Sequence, residues 1–371
     1  MKSVGAMHAR PIAACVLVAF LAGAPGPRAQ SNDWLEPFAP FRIAGNLYYV
    51  GSRGLASYLV TTSEGHVLIN SSLEASVPLI RASVEKLGFK FADVKVLLIS
   101  HAHWDHNAGS AAIKTITGAK YMVMDADVAV VESGGKADFQ YGSTPSSQYP
   151  ATNVDRVLHD GDEVKLGDAV LVAHLTPGHT KGCTTWTMKV QEVGRARDVV
   201  IVGSPNVNAG YKLVNNAAYP QIADDYERMF RVLKSLPIDI FLGAHGSYFD
   251  MEAKYARMNT ATASPFIDPD GYKKFIADRE QAFRTELAKQ RGRYGAGNDV
   301  ATTCLRLAHD HSFAGCVRRG IRTNAFHSRV RRSRPCGAVP LVRKPRTGRA
   351  VVCMMPFVAT VLITAAAALS R

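Results

Sequence analysis

The chain has 371 residues, of which 47% are hydrophobic and 20% are charged, as expected for a globular protein with a sizeable core. Its net charge of +13 comes almost entirely from residues 293–371, which hold 14 of the 44 Lys and Arg but only 2 of the 31 Asp and Glu. The rest of the chain has no basic stripe with interleaved aromatic residues, so we expect no nucleic acid as a partner.

The first thirty residues have the pattern of a secretory signal peptide. Lys2 and Arg10 precede an apolar run over residues 12–22, and small residues follow it. This run is about half the length that a membrane-spanning helix needs, so an uncleaved anchor is the weaker alternative. We place cleavage between Ala24 and Ser31 and expect a periplasmic or secreted protein.

We expect one domain over residues 31–292, because short apolar runs alternate there with turn residues and amphipathic stretches. This is the pattern of a layered α/β or α+β domain. Apolar residues at helical spacing predict helices over residues 75–88, 222–236 and 269–290. The predicted strands are residues 47–50, 57–60, 66–70, 94–99, 169–173, 184–188, 199–202 and 238–242.

Residues 293–371 differ from the domain in composition. Arginine becomes dense, and no helical or strand periodicity holds until an apolar run over residues 351–369. We interpret this segment as a basic tail that is disordered or aberrant. The alternative is a basic linker with a C-terminal membrane anchor, since about twenty apolar residues can span a bilayer. Only in that case do we expect contact with a membrane.

The most informative segment is the loop His101-Ala102-His103-Trp104-Asp105-His106, which directly follows a predicted buried strand. Strand alternation points His101 and His103 to one side, and a turn would let Asp105 and His106 face another. One loop could then supply ligands to two adjacent metal ions. Imidazoles and a carboxylate are ligands that Zn²⁺ takes in proteins. The alternative, a polar loop with coincidental histidines, is much weaker for so dense a cluster.

Two further histidines, His179 and His245, each follow a predicted strand and lie beside glycine, which lets the backbone approach a site closely. We therefore add both to the candidate metal ligands. The remaining histidines of residues 31–292 lack this setting, and we interpret them as structural. They are His66, His159 and His174.

The motif His101-x-His103-x-Asp105-His106, followed by Pro177-Gly178-His179-Thr180 and a late His245, resembles the metallo-β-lactamase superfamily. The resemblance covers residues 38–291 and implies an αβ/βα sandwich of four layers, with the metal site at one edge. Many superfamily members have a bridging aspartate after the strand predicted here over residues 199–202, and two β-lactamase subclasses have a metal-binding cysteine there. This chain has Gly203-Ser204 instead, which resembles β-lactamase subclass B3.

Other stretches also resemble that subclass, namely residues 132–135, 138–142, 178–187 and 210–214. Two features depart from it. The cysteines that form a disulfide in many subclass members are missing, and the long tail has no counterpart. Cys183 is the single cysteine of residues 31–292, so we expect no disulfide within this domain and interpret Cys183 as a buried small residue.

The resemblance implies two Zn²⁺ ions per chain and a hydroxide held between them that attacks the amide bond of a β-lactam. The substrates would be penicillins, cephalosporins and carbapenems, and the outcome would be antibiotic resistance by a protein that we expect to be a monomer. Asp105 would also orient the hydroxide, as a catalytic residue. The implied ligands are His101, His103 and His179 for the first zinc and Asp105, His106 and His245 for the second.

The resemblance also implies that Ser204, Asn206 and Asn208 hold the carboxylate of the substrate. Gln140 either reaches into the cleft from a flanking loop or is a solvated loop residue. We interpret Trp104 as a packing residue rather than a substrate contact.

Two other functions stay open at this point. An exported hydrolase of the same fold could act on lactones or other esters, although the missing bridging aspartate argues against much of that set. A zinc-binding protein without turnover is the second alternative. Six intact ligands argue against it, because a structural site is normally closed by four ligands and needs no second metal.

Overall fold

The structure is a computed structural model that describes residues 32–309, with side chains over residues 33–293. The predicted signal peptide over residues 1–30 and residues 310–371 of the predicted tail lie outside the described residues. Signal cleavage, export and a C-terminal anchor therefore stay predictions.

The first sheet has seven strands in the order β1 to β7. Strands β1 to β4 pair antiparallel and strands β4 to β7 pair parallel. The strands are β1 (Phe41–Ala44), β2 (Leu47–Tyr49), β3 (Tyr58–Thr62), β4 (Gly65–Ile69), β5 (Val94–Leu98), β6 (Lys120–Met124) and β7 (Arg156–Leu158).

The second sheet has five strands in the order β12-β11-β10-β9-β8. Its strands pair antiparallel except for β11 and β12, which run parallel. They are β8 (Glu163–Leu166), β9 (Ala169–Leu175), β10 (Thr184–Glu192), β11 (Arg195–Val202) and β12 (Ile240–Gly243).

Helices cover the outer faces of both sheets. They are α1 (Val77–Lys86), α2 (Trp104–Asn107), α3 (Ser110–Thr117), α4 (Asp125–Glu132), α5 (Ile222–Ser235), α6 (Met251–Arg257) and α7 (Pro269–His309). Apolar residues of α1, α3 and α4 pack in one core with the first sheet, while those of α5 and α7 pack with the second. The expected four-layer αβ/βα sandwich is confirmed.

Strand β5 is buried on both faces of the first sheet. Val96 and Leu98 belong to the core between the two sheets, whereas Leu97 and the following Ile99 belong to the core under the helices of the first sheet. Successive side chains of a strand point to opposite faces, so a strand covered on both faces is a continuous apolar run. This run ends at Ser100, where the predicted metal-binding loop begins.

The two sheets are also joined by a polar contact. The hydroxyl of Tyr58 on β3 is fully buried and donates a hydrogen bond to the carbonyl oxygen of Gly243 at the end of β12, at 2.7 Å. A buried hydroxyl needs such a partner to offset its desolvation. The contact fixes the end of β12 against the first sheet, two residues before His245.

The last helix is longer than predicted. The sequence predicts an end near Gln290, but α7 continues to His309 and crosses the predicted domain boundary at residue 292. Gln290, the residue where the sequence predicts the end of the helix, is hydrogen-bonded to another segment of the domain. It donates to the carbonyl oxygen of Tyr211 at 2.8 Å and accepts from the amide of Leu213 at 2.7 Å, so the helix is anchored there.

Several elements were not predicted from the sequence, namely β1, β6, β7, β8, α2, α3, α4 and α6. Most of them are short, with three to eight residues, so little periodicity is available to reveal them. None of the helices within residues 32–309 combines the length and the apolar character that crossing a bilayer requires.

Candidate metal centre

Three strand ends at one edge of the sandwich supply the six candidate ligands. The loop after β5 carries His101 and His103, and the short helix α2 that follows carries Asp105 and His106. His179 lies in the turn between β9 and β10, and His245 follows β12. The fold therefore brings together all six ligands that the sequence suggests.

Gly178 shows how the turn before His179 is shaped. Its φ of +131° is a conformation that other residues rarely adopt, and a Cβ there would lie 2.8 Å from the ring of Tyr226 on α5. Glycine is therefore the residue that lets the turn press against α5. The neighbouring His179 then projects toward the loop after β5.

The first ligand group consists of His101, His103 and His179, all of them buried. One ligand atom from each lies within 4.8 Å of the other two. The ring centroids are 4.9 Å apart for His101 and His103, 4.6 Å for His101 and His179, and 4.7 Å for His103 and His179. Three imidazoles on one centre form a common zinc ligand set, with a fourth position left open.

The second group consists of Asp105, His106 and His245. Nε2 of His106 lies 3.1 Å from Nε2 of His245 and 3.2 Å from Oδ2 of Asp105. Nε2 of His245 lies 3.5 Å from Oδ2 of Asp105. Ligands of a tetrahedral zinc with bonds of about 2.0–2.1 Å are separated by roughly 3.3 Å. The three atoms thus have the mutual spacing of ligands around one metal ion.

Several imidazole nitrogens in the two groups are buried without a hydrogen-bond partner among the described residues. They are both ring nitrogens of His101 and Nδ1 of His106. Leaving a buried polar atom unpaired costs about 1–3 kcal/mol. A cation bound to the first group would satisfy one of the two unpaired nitrogens of His101, so the donor set fits a metal ion.

Burial also sets the protonation states. Desolvation, reinforced by the neighbouring imidazoles, holds the pKa of His101 well below its usual range and lowers the pKa of His179 to about 3. Burial would raise the pKa of Asp105, but His106 and His245 outweigh it and hold that pKa low. Near neutral pH these histidines are neutral and the aspartate is ionised, which is the state that binds a metal.

Two of the histidines are oriented through the ring nitrogen that faces away from the group. Nδ1 of His179 donates to the carbonyl oxygen of Asn206 at 2.9 Å. Nε2 of His103 lies 3.5 Å from Oδ2 of Asp138, a buried carboxylate that also accepts hydrogen bonds from the amides of Gln140 and Tyr141. Such partners commonly fix the ring of a metal-binding histidine.

The loop after β5 is further held by two side chains that sequence reasoning missed. Oδ1 of Asn70 accepts a hydrogen bond from the amide of Ser100 at 2.7 Å, and Oδ2 of Asp127 accepts one from the amide of Ala102 at 2.9 Å. Asn70 comes at a predicted strand end, which is a signal that could have found it. Asp127 follows β6, a strand that the sequence analysis did not identify.

The predicted substrate contacts lie beside the ligand groups. Ser204 is buried and its hydroxyl lies 3.2 Å from that of Tyr248. The amide of Asn206 donates to Tyr248 at 2.8 Å and accepts from Nη1 of Arg279 at 3.4 Å. Tyr248 and Arg279 are neighbours of the site that the sequence analysis did not single out.

Asn208 and Gln140 both lie close to Tyr141. The side-chain amide of Asn208 donates to the hydroxyl of Tyr141 at 3.0 Å, and Gln140 is the residue before that tyrosine. Gln140 is half-buried. Its side-chain nitrogen lies 3.5 Å from the place where a Cβ of Gly210 would stand. The two residues thus flank the first ligand group through Tyr141, whose ring is 5.1 Å from that of His103.

The residues that the sequence assigns to packing lie outside both ligand groups. The ring of Trp104 packs edge-on against Tyr141 at 5.4 Å. His66 packs on Phe89, and Nε2 of His174 is hydrogen-bonded to Thr187. His159 is exposed. Cys183 is fully buried, and burial raises the pKa of its thiol to about 12.

Comparison with known proteins identifies the family. The profile described as the metallo-β-lactamase superfamily matches residues 52–245, about half of the chain. The native FEZ-1 metallo-β-lactamase from Legionella gormanii is 57% identical, with a TM-score of 0.68 over 69% of this chain and 98% of that one. The subclass B3 enzyme BJP-1 of Bradyrhizobium japonicum is 38% identical, with a TM-score of 0.67 over 71% and 98%.

A curated relative is more distant. A probable metallo-hydrolase of Burkholderia pseudomallei (strain 1710b) is 33% identical over 124 residues, which are 33% of this chain and 40% of that protein. The chain thus matches less than half the length of this relative. Taken with the fold and the ligand groups, these matches show that the chain belongs to the metallo-β-lactamase superfamily and is a hydrolase of that family.

The position within the superfamily is also defined. The solved structures that are 37–57% identical to the chain are subclass B3 metallo-β-lactamases. The histidine-rich groups of this fold indicate a metal cofactor, typically zinc.

The buried histidines make the stability of the metal-free protein dependent on pH. A histidine whose folded-state pKa lies below its unfolded value of 6.5 binds fewer protons when folded, so the free energy of unfolding falls as the pH drops below about 6.5. We expect the urea midpoint of chelator-treated protein to fall between pH 7.5 and 5.5. The decrease in the urea midpoint should be smaller in His179→Gln, because this variant lacks one histidine of lowered pKa.

The exposed His159 supplies the control, because His159→Gln should leave the pH dependence as it is in the native chain. Burial raises the pKa of Asp127 to about 6, so this one group makes the free energy of unfolding rise as the pH drops. All three proteins contain Asp127, so it does not affect the comparison. Equal slopes for the native chain and His179→Gln would contradict the prediction.

Proposed function

We propose that the protein hydrolyses the amide bond of β-lactam antibiotics and so confers resistance to them, using two zinc ions. The observation that carries the proposal is the mutual spacing of 3.1–3.5 Å among the atoms of the second group, Asp105, His106 and His245, beside the three histidines of the first group. Similar solved structures at up to 57% identity are metallo-β-lactamases, which favours a β-lactam over other substrates.

We assign His101, His103 and His179 to the first zinc and Asp105, His106 and His245 to the second. Ser204 takes no part in this scheme, because its hydroxyl is paired with Tyr248 and a neutral serine is a poor zinc ligand. When bound, two zinc ions would supply a water of lowered pKa as nucleophile and a Lewis acid for the carbonyl oxygen.

The protein side chains then act by orientation. Oδ2 of Asp105 faces His106 and His245, while Oδ1 takes part in no hydrogen bond among the described residues. Oδ1 could accept a hydrogen bond from the attacking water. This contact would orient the oxygen atom of the water toward the carbonyl carbon of the substrate. Asp105 is 8% exposed, so little bulk water competes for this contact. We therefore propose Asp105 as the catalytic residue.

The substrate carboxylate would lie against the loop after β11, where Asn206 and Asn208 present half-buried amide groups. Ser204 is 2% exposed and would act mainly by holding the hydroxyl of Tyr248 toward the same space. Gln140, whose side-chain nitrogen lies near Gly210 of the same loop, would border this end of the cleft. The partly buried guanidinium of Arg279, which donates to Asn206, adds a positive charge that favours an anion at this end of the cleft.

Zinc dependence of turnover tests the proposal. We expect the purified protein to hydrolyse a carbapenem and a cephalosporin, to lose at least about 100-fold of its kcat/KM after chelation, and to recover it with zinc but not with magnesium. The measurement is loss of β-lactam absorbance together with zinc content per chain. Asp105→Asn should lose activity while His159→Gln, an exposed site, keeps it.

Two bound zincs without turnover of any β-lactam would overturn the assignment of substrate. Lactones and thiol esters, assayed on the same preparation, would then identify a hydrolase of the same fold with another substrate. Two bound zincs and no turnover of any of these compounds would indicate a zinc-binding protein without activity.

The role of Asn208 can be tested separately, because its side chain touches Tyr141 and no metal ligand. A hydrogen bond to a charged group contributes about 1.5–3 kcal/mol, so Asn208→Ala should raise KM roughly 10- to 100-fold for a substrate with a carboxylate. The kcat should change little, as for a contact made equally in ground and transition states. Steady-state kinetics on the exposed control Asn153→Ala should match the native protein. An unchanged KM in Asn208→Ala would rule the contact out.

We also propose that the protein acts in the periplasm or outside the cell, on the strength of the signal pattern in residues 1–30. Mass spectrometry of the protein recovered from the periplasmic fraction should give an N-terminus between Ala24 and Ser31. Protein that stays in the cytoplasm with Met1 or Lys2 at its N-terminus would contradict export.

A further inference from the structure

Asp127 is a buried carboxylate that lies between the two segments carrying the first ligand group. It belongs to the first turn of α4 and is 1% exposed. Oδ2 accepts hydrogen bonds from the amide of Ala102 at 2.9 Å and the hydroxyl of Thr180 at 2.8 Å. Oδ1 accepts one from the amide of Gly182 at 2.8 Å. Three donors from two loops thus converge on one carboxylate.

The positions of these donors connect the carboxylate to the metal ligands. Ala102 is the residue between His101 and His103, and Thr180 directly follows His179. The outer ends of the two loops are also joined by a backbone hydrogen bond from Thr184 to Ser100. Asp127 is the side chain that joins the ligand-bearing turns themselves.

Gly182 shows that the turn after His179 is packed closely onto Asp127. A Cβ at Gly182 would lie 2.6 Å from the backbone nitrogen and 2.7 Å from the Cβ of Asp127, distances that real Cβ atoms do not show. Only glycine allows this approach. The carboxylate is therefore held at a fixed distance from the backbone that carries His179.

The second ligand group has its own support. The carbonyl oxygen of His106 accepts hydrogen bonds from the amide of Ser71 at 3.1 Å and from its hydroxyl at 3.3 Å. His245 follows β12, which is fixed to the first sheet through Tyr58. These contacts do not involve Asp127, so a change at Asp127 should act on the first group alone.

Joining two loops through a buried carboxylate costs free energy of folding. Burial disfavours its charged form and raises the pKa of Asp127 to about 6, so the ionised side chain lowers the stability of the fold near neutral pH. An amide of the same shape would avoid the charge but could not accept all three hydrogen bonds, because one of its two terminal atoms is a donor.

We propose that Asp127 is a positioning residue for the first metal ion: it holds the turn of His101 and His103 and the turn of His179 at the separation that one ion requires. The proposal rests on the assignment of these three histidines to one zinc under the proposed function. Asp127 itself touches neither metal nor substrate.

The test isolates each metal site in the full-length protein. His245→Ala disables the second group and leaves the first, whereas His103→Ala does the opposite. In each background Asp127→Asn is added, and the affinity for Co²⁺ alone is measured by competition with a chromogenic chelator, together with the visible absorption of the bound cobalt. Loss of a group that orients metal ligands typically weakens binding 10- to 100-fold.

We expect a loss of that size in the His245→Ala background, with an altered cobalt spectrum, and a change below about 3-fold in the His103→Ala background. Asp155→Asn is the matched control. Asp155 also accepts a hydrogen bond from a backbone amide, that of Tyr121 at 2.7 Å, but contacts no ligand loop. Its substitution should leave the affinity of both sites at the value of the parent.

A merely structural role gives a different result. If Asp127→Asn weakened both sites equally, or neither, while lowering the urea midpoint, the proposal would be overturned. If the His245→Ala protein bound no cobalt at all, the assignment of the first group would fail instead, which is a failure of the proposed function.

Thr180→Val keeps the test available if Asp127→Asn does not fold. It removes one of the three hydrogen bonds in nearly the same volume, and a hydrogen bond to a charged group contributes about 1.5–3 kcal/mol. We expect at least about 5-fold weaker cobalt binding in the His245→Ala background alone. Affinity equal to that of the parent would contradict the role of Asp127.

Discussion

The site depends on burying imidazole nitrogens that the protein itself leaves without hydrogen-bond partners. Both ring nitrogens of His101 and one of His106 are in this state among the described residues. Each such atom costs about 1–3 kcal/mol, which the surrounding fold must outweigh. The two apolar cores, on either side of β5, supply that stability and hold the loop in place before any ion arrives. Binding of a metal and stability of the fold are therefore linked.

Exposure is distributed unevenly over the two ligand groups. The side chains of His106 and His103 are 0% and 4% exposed, whereas those of Asp105 and His245 are 11% and 17% exposed. Asp105 and His245 of the second group are therefore the more accessible of these ligands, whereas His106 of the same group is fully buried. The ring of Trp34 lies 6.0 Å from that of His245.

The ligands could be predicted from the sequence because their pattern is local. Three histidines and an aspartate within six residues, placed after a buried strand, need no tertiary information to be noticed. His179 and His245 were found by the same rule, since each follows a strand and lies beside glycine. Longer strands and amphipathic helices such as α5 were predicted for a similar reason, because a regular period extends over enough residues to be visible.

The supporting contacts could not be predicted because they depend on how distant segments meet. Asp127 accepts hydrogen bonds from residues 25 and 55 positions away. Nothing around it in the sequence marks it, since α4 is short and β6 was not identified. The order of strands in the two sheets is set by the same long-range packing. The end of α7 was placed too early because the change in composition after Gly292 was interpreted as the end of regular structure, whereas the helix continues to His309.

The buried state of Ser204 has a consequence for how the second group is built. Ser204 lies just after the end of β11, and its hydroxyl is hydrogen-bonded to that of Tyr248. Under the proposed assignment, the second group takes its third ligand from α2, namely His106. Its ring lies between those of His101 and His245, with centroids at 4.4 and 4.8 Å. Both ligand groups therefore take residues from one six-residue segment, whose two halves are held by different contacts, at the amide of Ala102 and at the carbonyl oxygen of His106.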